Sequence, residues 1–212
     1  MNLPDFLIDK YKDWKVNSFE ENKAKYEKSA IEKQKPKAMI ISCCDSRFLE
    51  TKIFAGNIGD YFIHRNIANI VPPFDSKNID SNTSSALEYA VKSLKVPHIV
   101  IMGHSNCGGV NFACERYLKN SKKNEFEFLN KWIENLSPIF KYNNLEIQSK
   151  NKNTFFEQEN IKLSIKNIQE YPFVKEKLIN DQLFIHGLWY EIKSGRLMSL
   201  NKVKNIFEEL TA

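Results

Sequence analysis

The sequence predicts an α/β fold: a central, mostly parallel β-sheet flanked by helices, with an N-terminal helical arm and a C-terminal helical segment. Apolar runs over 38–42 and 98–103 have the length and composition of buried strands. Stretches of helical apolar spacing alternate with them, which implies parallel βαβ pairing with right-handed crossovers. Both runs end in clusters of polar, reactive side chains, and sheets of this kind bind ligands beyond the carboxyl ends of their strands.

Around Leu7, Tyr11 and Trp14 the apolar spacing is helical, with nothing local to bury against, so this segment reads as an arm on a partner subunit. Ser18-Phe19-Glu20-Glu21 has the form of a capping box and should start a helix that runs to about Gln34, before Lys35-Pro36. After the first strand, Asp60–Asn66 reads as a second. Asn78–Thr83 is a polar loop, and Ser84 or Ser85 can cap a helix whose apolar face is Ala86, Leu87, Ala90, Val91 and Leu94. Pro97 ends that connection ahead of the strand at 98–103. Gly108-Gly109 opens a helix through Val110, Phe112, Ala113 and Tyr117; without GxxxxGK[ST] or GxGxxG around them, these glycines read as close packing and not as a phosphate cradle.

From Lys119 to Lys177 the pattern is helical and charged, and Asn143–Asn153 is its most polar, loop-like part. Leu183–Ile192 and Arg196–Leu200 flank Lys193-Ser194-Gly195 as a strand and hairpin, and Val203–Leu210 reads as a short amphipathic helix. With no repeat and no linker, the 212 residues are expected to form a single domain. It divides into an arm (1–34), a core carrying the reactive clusters (35–118) and the remainder (119–212).

The formal charge of +5 is modest, and Lys is interleaved with Glu, which speaks for solvated faces and against nucleic-acid binding. No apolar run approaches the roughly 18–20 residues of a membrane span, and the N-terminus lacks the form of a signal peptide. The four cysteines, at 43, 44, 107 and 114, are too few and too irregular for a disulfide framework. A reducing, cytoplasmic setting suits them.

The two clusters are Cys43-Cys44-Asp45-Ser46-Arg47 and His104-Ser105-Asn106-Cys107-Gly108-Gly109. Two thiolates, Cys43 and Cys107, and one imidazole, His104, make a Zn²⁺ ligand set that leaves a fourth tetrahedral position for water or a carboxylate. Cys43 and Asp45 share a face of an extended segment, and so do Asp45 and Arg47. Arg47 can therefore pair with Asp45, favour its charged form and turn it away from the metal. The carboxylate can then accept a hydrogen bond from a zinc-bound hydroxide. If Asp45 swung onto the metal as a fourth ligand, the site would close. Alternation places Cys44 on the opposite face as a structural residue. Cys114 reads as packing, and His64, His98 and His186 as hydrogen-bonded residues or proton relays. Trp14 and Trp132 read as core or interface.

Over Gln34 to about Glu115 the chain resembles the β-class carbonic anhydrases. The resemblance rests on Cys-x-Asp-Ser-Arg at 43–47 and Gly-His-Ser-x-Cys-Gly-Gly at 103–109. Arg65-Asn66-x-Ala68-Asn69, Val71-Pro72-Pro73 and the Glu88–Val91 helix also match, with weaker echoes over 187–195. It implies one zinc per subunit on Cys43, His104 and Cys107, the Asp45–Arg47 dyad, and reversible hydration of CO₂ to bicarbonate and a proton. It further implies Gln34 as a donor to substrate, an apolar pocket of Phe62, Ile67 and Tyr89, and a substrate-facing amide at Gly108. The pocket would form across a homodimer, or a higher homo-oligomer, with Gln34, Phe62 and Tyr89 from the subunit opposite the zinc. Bicarbonate-inhibited bacterial members carry Trp three residues before the first ligand cysteine. Ile40 stands there, which implies the open, plant-type site. A hydrolase of CS₂ or COS would use the same scaffold. A non-catalytic zinc module would need Asp45 as a permanent ligand, against the competition of Arg47.

Overall fold

The computed structural model describes residues 3–75, 81–119, 125–142 and 152–211. A continuous helical arm comes first: α1 (Asp5–Trp14), a π-helical turn over Lys15–Phe19, and α2 (Glu20–Ile31). The expected capping box at Ser18 does not cap a helix. Ser18 lies inside the π turn, where its carbonyl accepts from the Asn22 side chain at 2.9 Å. The extra residue of the π turn brings side chains five apart onto one face. Trp14 then meets Phe19 at 5.5 Å between ring centroids, and both meet Tyr26. The helix stops at Ile31, with Glu32 already extended, before the predicted Gln34. Among the described residues no residue of the arm is buried, and Leu3, Phe6, Leu7, Tyr11 and Trp14 are all exposed.

Strand β1 (Ala38–Cys43) follows, then a single turn α3 (Glu50–Ile53), β2 (Tyr61–Asn66) and a 3₁₀ turn over Ile67–Asn69. Helix α4 (Ser81–Glu88) runs into a π turn at Tyr89–Leu94 and leads to β3 (His98–His104). The helix thus begins ahead of Ser84, and 81–83 are helical; 78–80 lie outside the described residues. Leu87, Ala90 and Val91 form its buried face as the spacing predicts.

Helix α5 (Gly108–Leu118) starts at the paired glycines. The charged region contains α6 (Glu127–Ile133), α7 (Ser137–Tyr142), α8 (Lys152–Gln169) and α9 (Pro172–Ile179). Of the predicted polar loop at 143–153, residues 143–151 lie outside the described residues, while Lys152 and Asn153 open α8. Strands β4 (Phe184–Tyr190) and β5 (Leu197–Asn201) form the expected hairpin.

The predicted closing helix at 203–210 is instead strand β6 (Ile206–Glu209), antiparallel to β5. The Asn201 side-chain oxygen accepts from the amides of Val203 and Lys204, and Asn205 takes a left-handed φ of 55°. These features close a tight turn. Over so few residues helical spacing and strand alternation are hard to tell apart, and Phe207 reaches the core from the strand.

The six strands form one sheet in the order β2-β1-β3-β4-β5-β6, parallel through its first four members and antiparallel after β4. Met39, Ile41, Ile99, Ile101 and Ile185 pack on one face against Ile161, Ile165 and Ile168 of α8. On the other face Ile40, Met102 and Leu188 cover Phe48. Helix α8 lies close because β4 carries a glycine where it crosses. A Cβ on Gly187 would sit 2.8 Å from Ile165 Cδ1 and 2.9 Å from Ile161 Cγ2. Gly187→Ala is therefore expected to lower stability by about 1–3 kcal/mol through overpacking, measured by denaturant unfolding. An unchanged midpoint would show that α8 can retreat freely.

Candidate metal centre

Parallel pairing of β1 with β3 puts Cys43 and His104 at neighbouring carboxyl ends, and the turn after β3 returns Cys107 to the same point. That turn needs the left-handed φ of 55° at Asn106. Its other contacts hold it to the hairpin: the Ser105 amide donates to the Tyr190 carbonyl at 2.9 Å, and the Ser105 hydroxyl accepts from the Ile192 amide at 3.0 Å.

The ligand atoms of Cys43, His104 and Cys107 all lie within 4.8 Å of one another, and among the described residues this is the group able to hold a metal ion. The residues are 4%, 0% and 1% exposed. The two sulfurs are 3.8 Å apart. A tetrahedral ion with Zn–S bonds of ~2.3 Å would separate them by about the same distance. His104 Nδ1 donates to the Ser105 carbonyl at 2.9 Å, which fixes the tautomer and leaves Nε2 with a lone pair. Among the described residues, Nε2 is buried without a hydrogen-bond partner. An orphaned imidazole nitrogen beside two thiols is costly unless a metal ion receives it. The donor set fits zinc.

The two sulfurs share a hydrogen bond, which draws the Cys43 thiol down to about 4 and pushes that of Cys107 well up. Metal uptake must expel the Cys107 proton. Near neutral pH, zinc binding is therefore expected to release roughly one proton or more, with affinity rising as pH rises. Calorimetry in buffers of different ionisation enthalpy reads this; uptake without proton release would contradict it.

Asp45 sits two residues beyond the strand and is clamped by Arg47. The guanidinium donates from Nε to Oδ1 at 2.9 Å and from Nη2 to Oδ2 at 2.6 Å, and the Arg47 amide donates to Oδ1 at 3.0 Å. Arg47 Nη2 also donates to the Asn106 carbonyl at 3.1 Å, tying the two clusters together. This grip holds the Asp45 carboxyl well below the usual carboxylate range. Asp45 Oδ2 lies 3.9 Å from His104 Nε2. Oxygen and nitrogen ligands of one tetrahedral ion would be only about 3.3 Å apart. The two atoms are therefore further apart than two ligands of one such ion would be.

The other predicted residues divide by the ends of the sheet. Ile67 follows the carboxyl end of β2 and packs on the start of α5, where a Cβ on Gly109 would come within 2.7 Å of Ile67 Cγ2; Gly108 is the first residue of that helix. Phe62 pairs with Met39, four residues before Cys43, or about 13 Å along the strand. It meets Tyr89 at 5.8 Å, and Gln34 precedes β1 on the surface. One chain therefore does not bring Gln34, Phe62 and Tyr89 to the metal residues. Cys44, read as structural, is exposed, because β1 ends at Cys43 and Cys44 begins the loop. Cys114 is buried, with its thiol pushed up to about 11 by that burial. His64 meets the Thr83 hydroxyl at 3.1 Å, and His98 and His186 meet each other at 3.2 Å. Trp132 donates to the Ile67 carbonyl at 2.9 Å.

Two further residues shape the site: Arg65, which the sequence marks only as part of a matching motif, and Glu157, which it does not single out. Arg65 donates to the carbonyls of Cys43 and Asp45 at 2.9 Å each and of Phe48 at 2.8 Å, so it shapes the loop that carries Asp45. Glu157 of α8, 2% exposed, accepts from the Cys107 amide at 3.1 Å. Polar residues at 157, 160 and 164 on the apolar face of a helix were the available signal for it.

Comparison with known proteins identifies the family. A family model described as carbonic anhydrase matches residues 38–197. Beta carbonic anhydrase 3 of Arabidopsis thaliana is 35% identical over 187 residues, covering 86% of this chain and 70% of that protein. The chain belongs to the β-carbonic anhydrase family. A carbonic anhydrase of Helicobacter pylori is 31% identical over 202 residues, covering 93% of this chain and 90% of its own. Among solved structures, the β-carbonic anhydrase CcaA superposes with a TM-score of 0.89 at 25% identity, over 98% of this chain and 92% of that one. A β-carbonic anhydrase of Sordaria macrospora, described as tetrameric, gives 0.79 at 33% identity over 93% and 96%. The six-stranded sheet and the helical arm are thus those of a β-carbonic anhydrase. Among the described residues, no helix of this family member is long and apolar enough to cross a membrane.

Proposed function

We propose that this β-carbonic anhydrase hydrates CO₂ reversibly to bicarbonate and a proton, using one zinc ion per subunit held by Cys43, His104 and Cys107. The observation that carries this reading is the buried Cys-His-Cys triad next to a carboxylate already engaged by Arg47. Zinc in such a site supplies Lewis acidity, lowering the pKa of solvent at its fourth position. Asp45, kept ionised and held aside by Arg47, is the acceptor that orients that solvent toward the substrate carbon. The same clamp supports the open, plant-type form and argues against Asp45 as a permanent fourth ligand. Gly108 offers its amide to a substrate oxygen at the start of α5, and Ile67 forms an apolar wall suited to an uncharged substrate.

Gln34, Phe62 and Tyr89 complete the pocket from a second copy in a homodimer or larger homo-oligomer. Their place at the far end of the sheet supports this, as does the exposure of Tyr89 at 47%. We read the chain as one domain acting in the cytoplasm, without nucleic-acid or membrane partners. Stopped-flow CO₂ hydration tests the reading. Acceleration that disappears with a chelator and returns with zinc is expected. No zinc-dependent rate, or sulfide release from CS₂ without CO₂ hydration, would overturn it.

A further inference from the structure

Helix α8 lies outside both metal-ligand clusters, yet one of its faces carries a row of polar side chains turned into the protein. Asn160 donates to the Ala68 carbonyl at 2.6 Å, Ser164 accepts from the Val71 amide at 3.1 Å, and Asn167 donates to the Val71 carbonyl at 2.8 Å. These contacts hold a segment whose Ala68 and Asn69 adopt left-handed φ of 64° and 46°. Glu157 continues the row one turn earlier. Its Oε1 accepts from the Cys107 amide at 3.1 Å, and its Oε2 accepts from the Trp189 indole N–H of β4 at 3.0 Å. The Asn106 amide faces the same carboxylate.

Each carboxylate oxygen is met by an N–H donor. Burying a carboxylate is expensive, and a neutral side chain would cost less if filling space were the whole task. A carboxylate has what the neutral isostere lacks, an acceptor at both oxygens. With the Cys107 amide tied to Glu157, the amides of Gly109 and Val110 are left to face the Cys107 sulfur. The direction of the Cys107 side chain is then determined from both ends of its residue.

We propose that Glu157 is a positioning residue for the metal centre: by accepting from the Cys107 amide and bracing against Trp189, it aims the Cys107 sulfur at the zinc. This rests on the zinc reading of the site. Glu157 touches neither metal nor substrate and acts through the ligand turn alone.

In Glu157→Gln the side chain offers one acceptor and one NH₂ group to two donors, so either the Cys107 amide or the indole faces another donor. Loss of an outer hydrogen-bond partner weakens metal sites by roughly 10–100-fold. Zinc release from E157Q to a chromophoric chelator is expected to quicken by a factor in that range, with shifted cobalt(II) absorption bands in the cobalt-loaded protein. The double variant E157Q/W189F removes the second donor, frees the amide oxygen to accept from Cys107, and should return both readouts to near their wild-type values. A merely structural role would move the unfolding midpoint and leave the cobalt bands in place. Wild-type release and bands in E157Q would overturn the proposal, and so would a double variant as leaky as the single one. If E157Q fails to fold, the double variant decides; failure of both would assign Glu157 to the core and overturn the proposal as well. A wild-type protein that takes up no zinc would instead defeat the metal reading, which the unsubstituted control reports separately.

Discussion

His104→Ala is expected to purify with far less than one zinc per chain and to hydrate CO₂ no faster than solvent. The imidazole is the only neutral ligand of the three, and its Nε2 is sealed from water with no hydrogen-bond partner among the described residues. Removing it leaves two sulfurs 3.8 Å apart to share an ion in a buried pocket, without the third corner of the tetrahedron. The loss in zinc affinity should exceed the roughly 10–100-fold that outer hydrogen-bond partners contribute to metal sites. Because Phe48 stacks on the ring at 5.4 Å, stability will fall as well. Zinc content by elemental analysis and secondary structure by circular dichroism should therefore be measured on the same sample. A folded His104→Ala protein with full zinc and full activity would remove His104 from the centre.

Asp45→Asn separates the dyad from the metal. The substitution keeps the shape of the side chain, and zinc content should stay near wild type because both Asp45 oxygens are already engaged by Arg47. What changes is the acceptor. The amide keeps one acceptor oxygen for the Arg47 fork and turns an NH₂ toward the other guanidinium donor, so the bidentate pair at 2.9 and 2.6 Å cannot survive intact. A positioned acid–base group contributes typically 10²–10⁴-fold, and the rate constant for CO₂ hydration should fall by about that factor. Full activity with full zinc would contradict the role given to the dyad. Loss of zinc together with activity would place Asp45 on the metal.

Much of this site was legible in the residue order because chemistry and topology point to the same places. The apolar runs before Cys43 and His104 could only be buried strands, and the alternating pattern made them parallel, so their carboxyl ends had to meet. Arg47 two residues after Asp45 was enough to anticipate their pairing. What stayed hidden depends on long-range packing. Glu157 and Arg65 act on backbone amides and carbonyls, which any sequence offers at every position, so the polar face of α8 and the Arg65 motif do not by themselves say which loop these side chains meet. The closing strand β6 was misread because eight residues with a few apolar side chains satisfy either periodicity, and the turn at Asn201 and Asn205 decides between them. The Ser18 capping box failed for a related reason. A capping side chain competes only where a helix begins, and the aromatic cluster of Trp14, Phe19 and Tyr26 carries the helix straight through that point.

The central claim is an ion held by Cys43, His104 and Cys107 with its last position left to solvent. Zinc K-edge absorption spectroscopy on the purified protein near neutral pH tests it most directly. Two sulfur neighbours at ~2.3 Å, one imidazole nitrogen, and a fourth, light neighbour that a small anion can replace are expected. A spectrum with all four positions taken by protein ligands and unmoved by added anion, or a protein that holds no zinc, would contradict it.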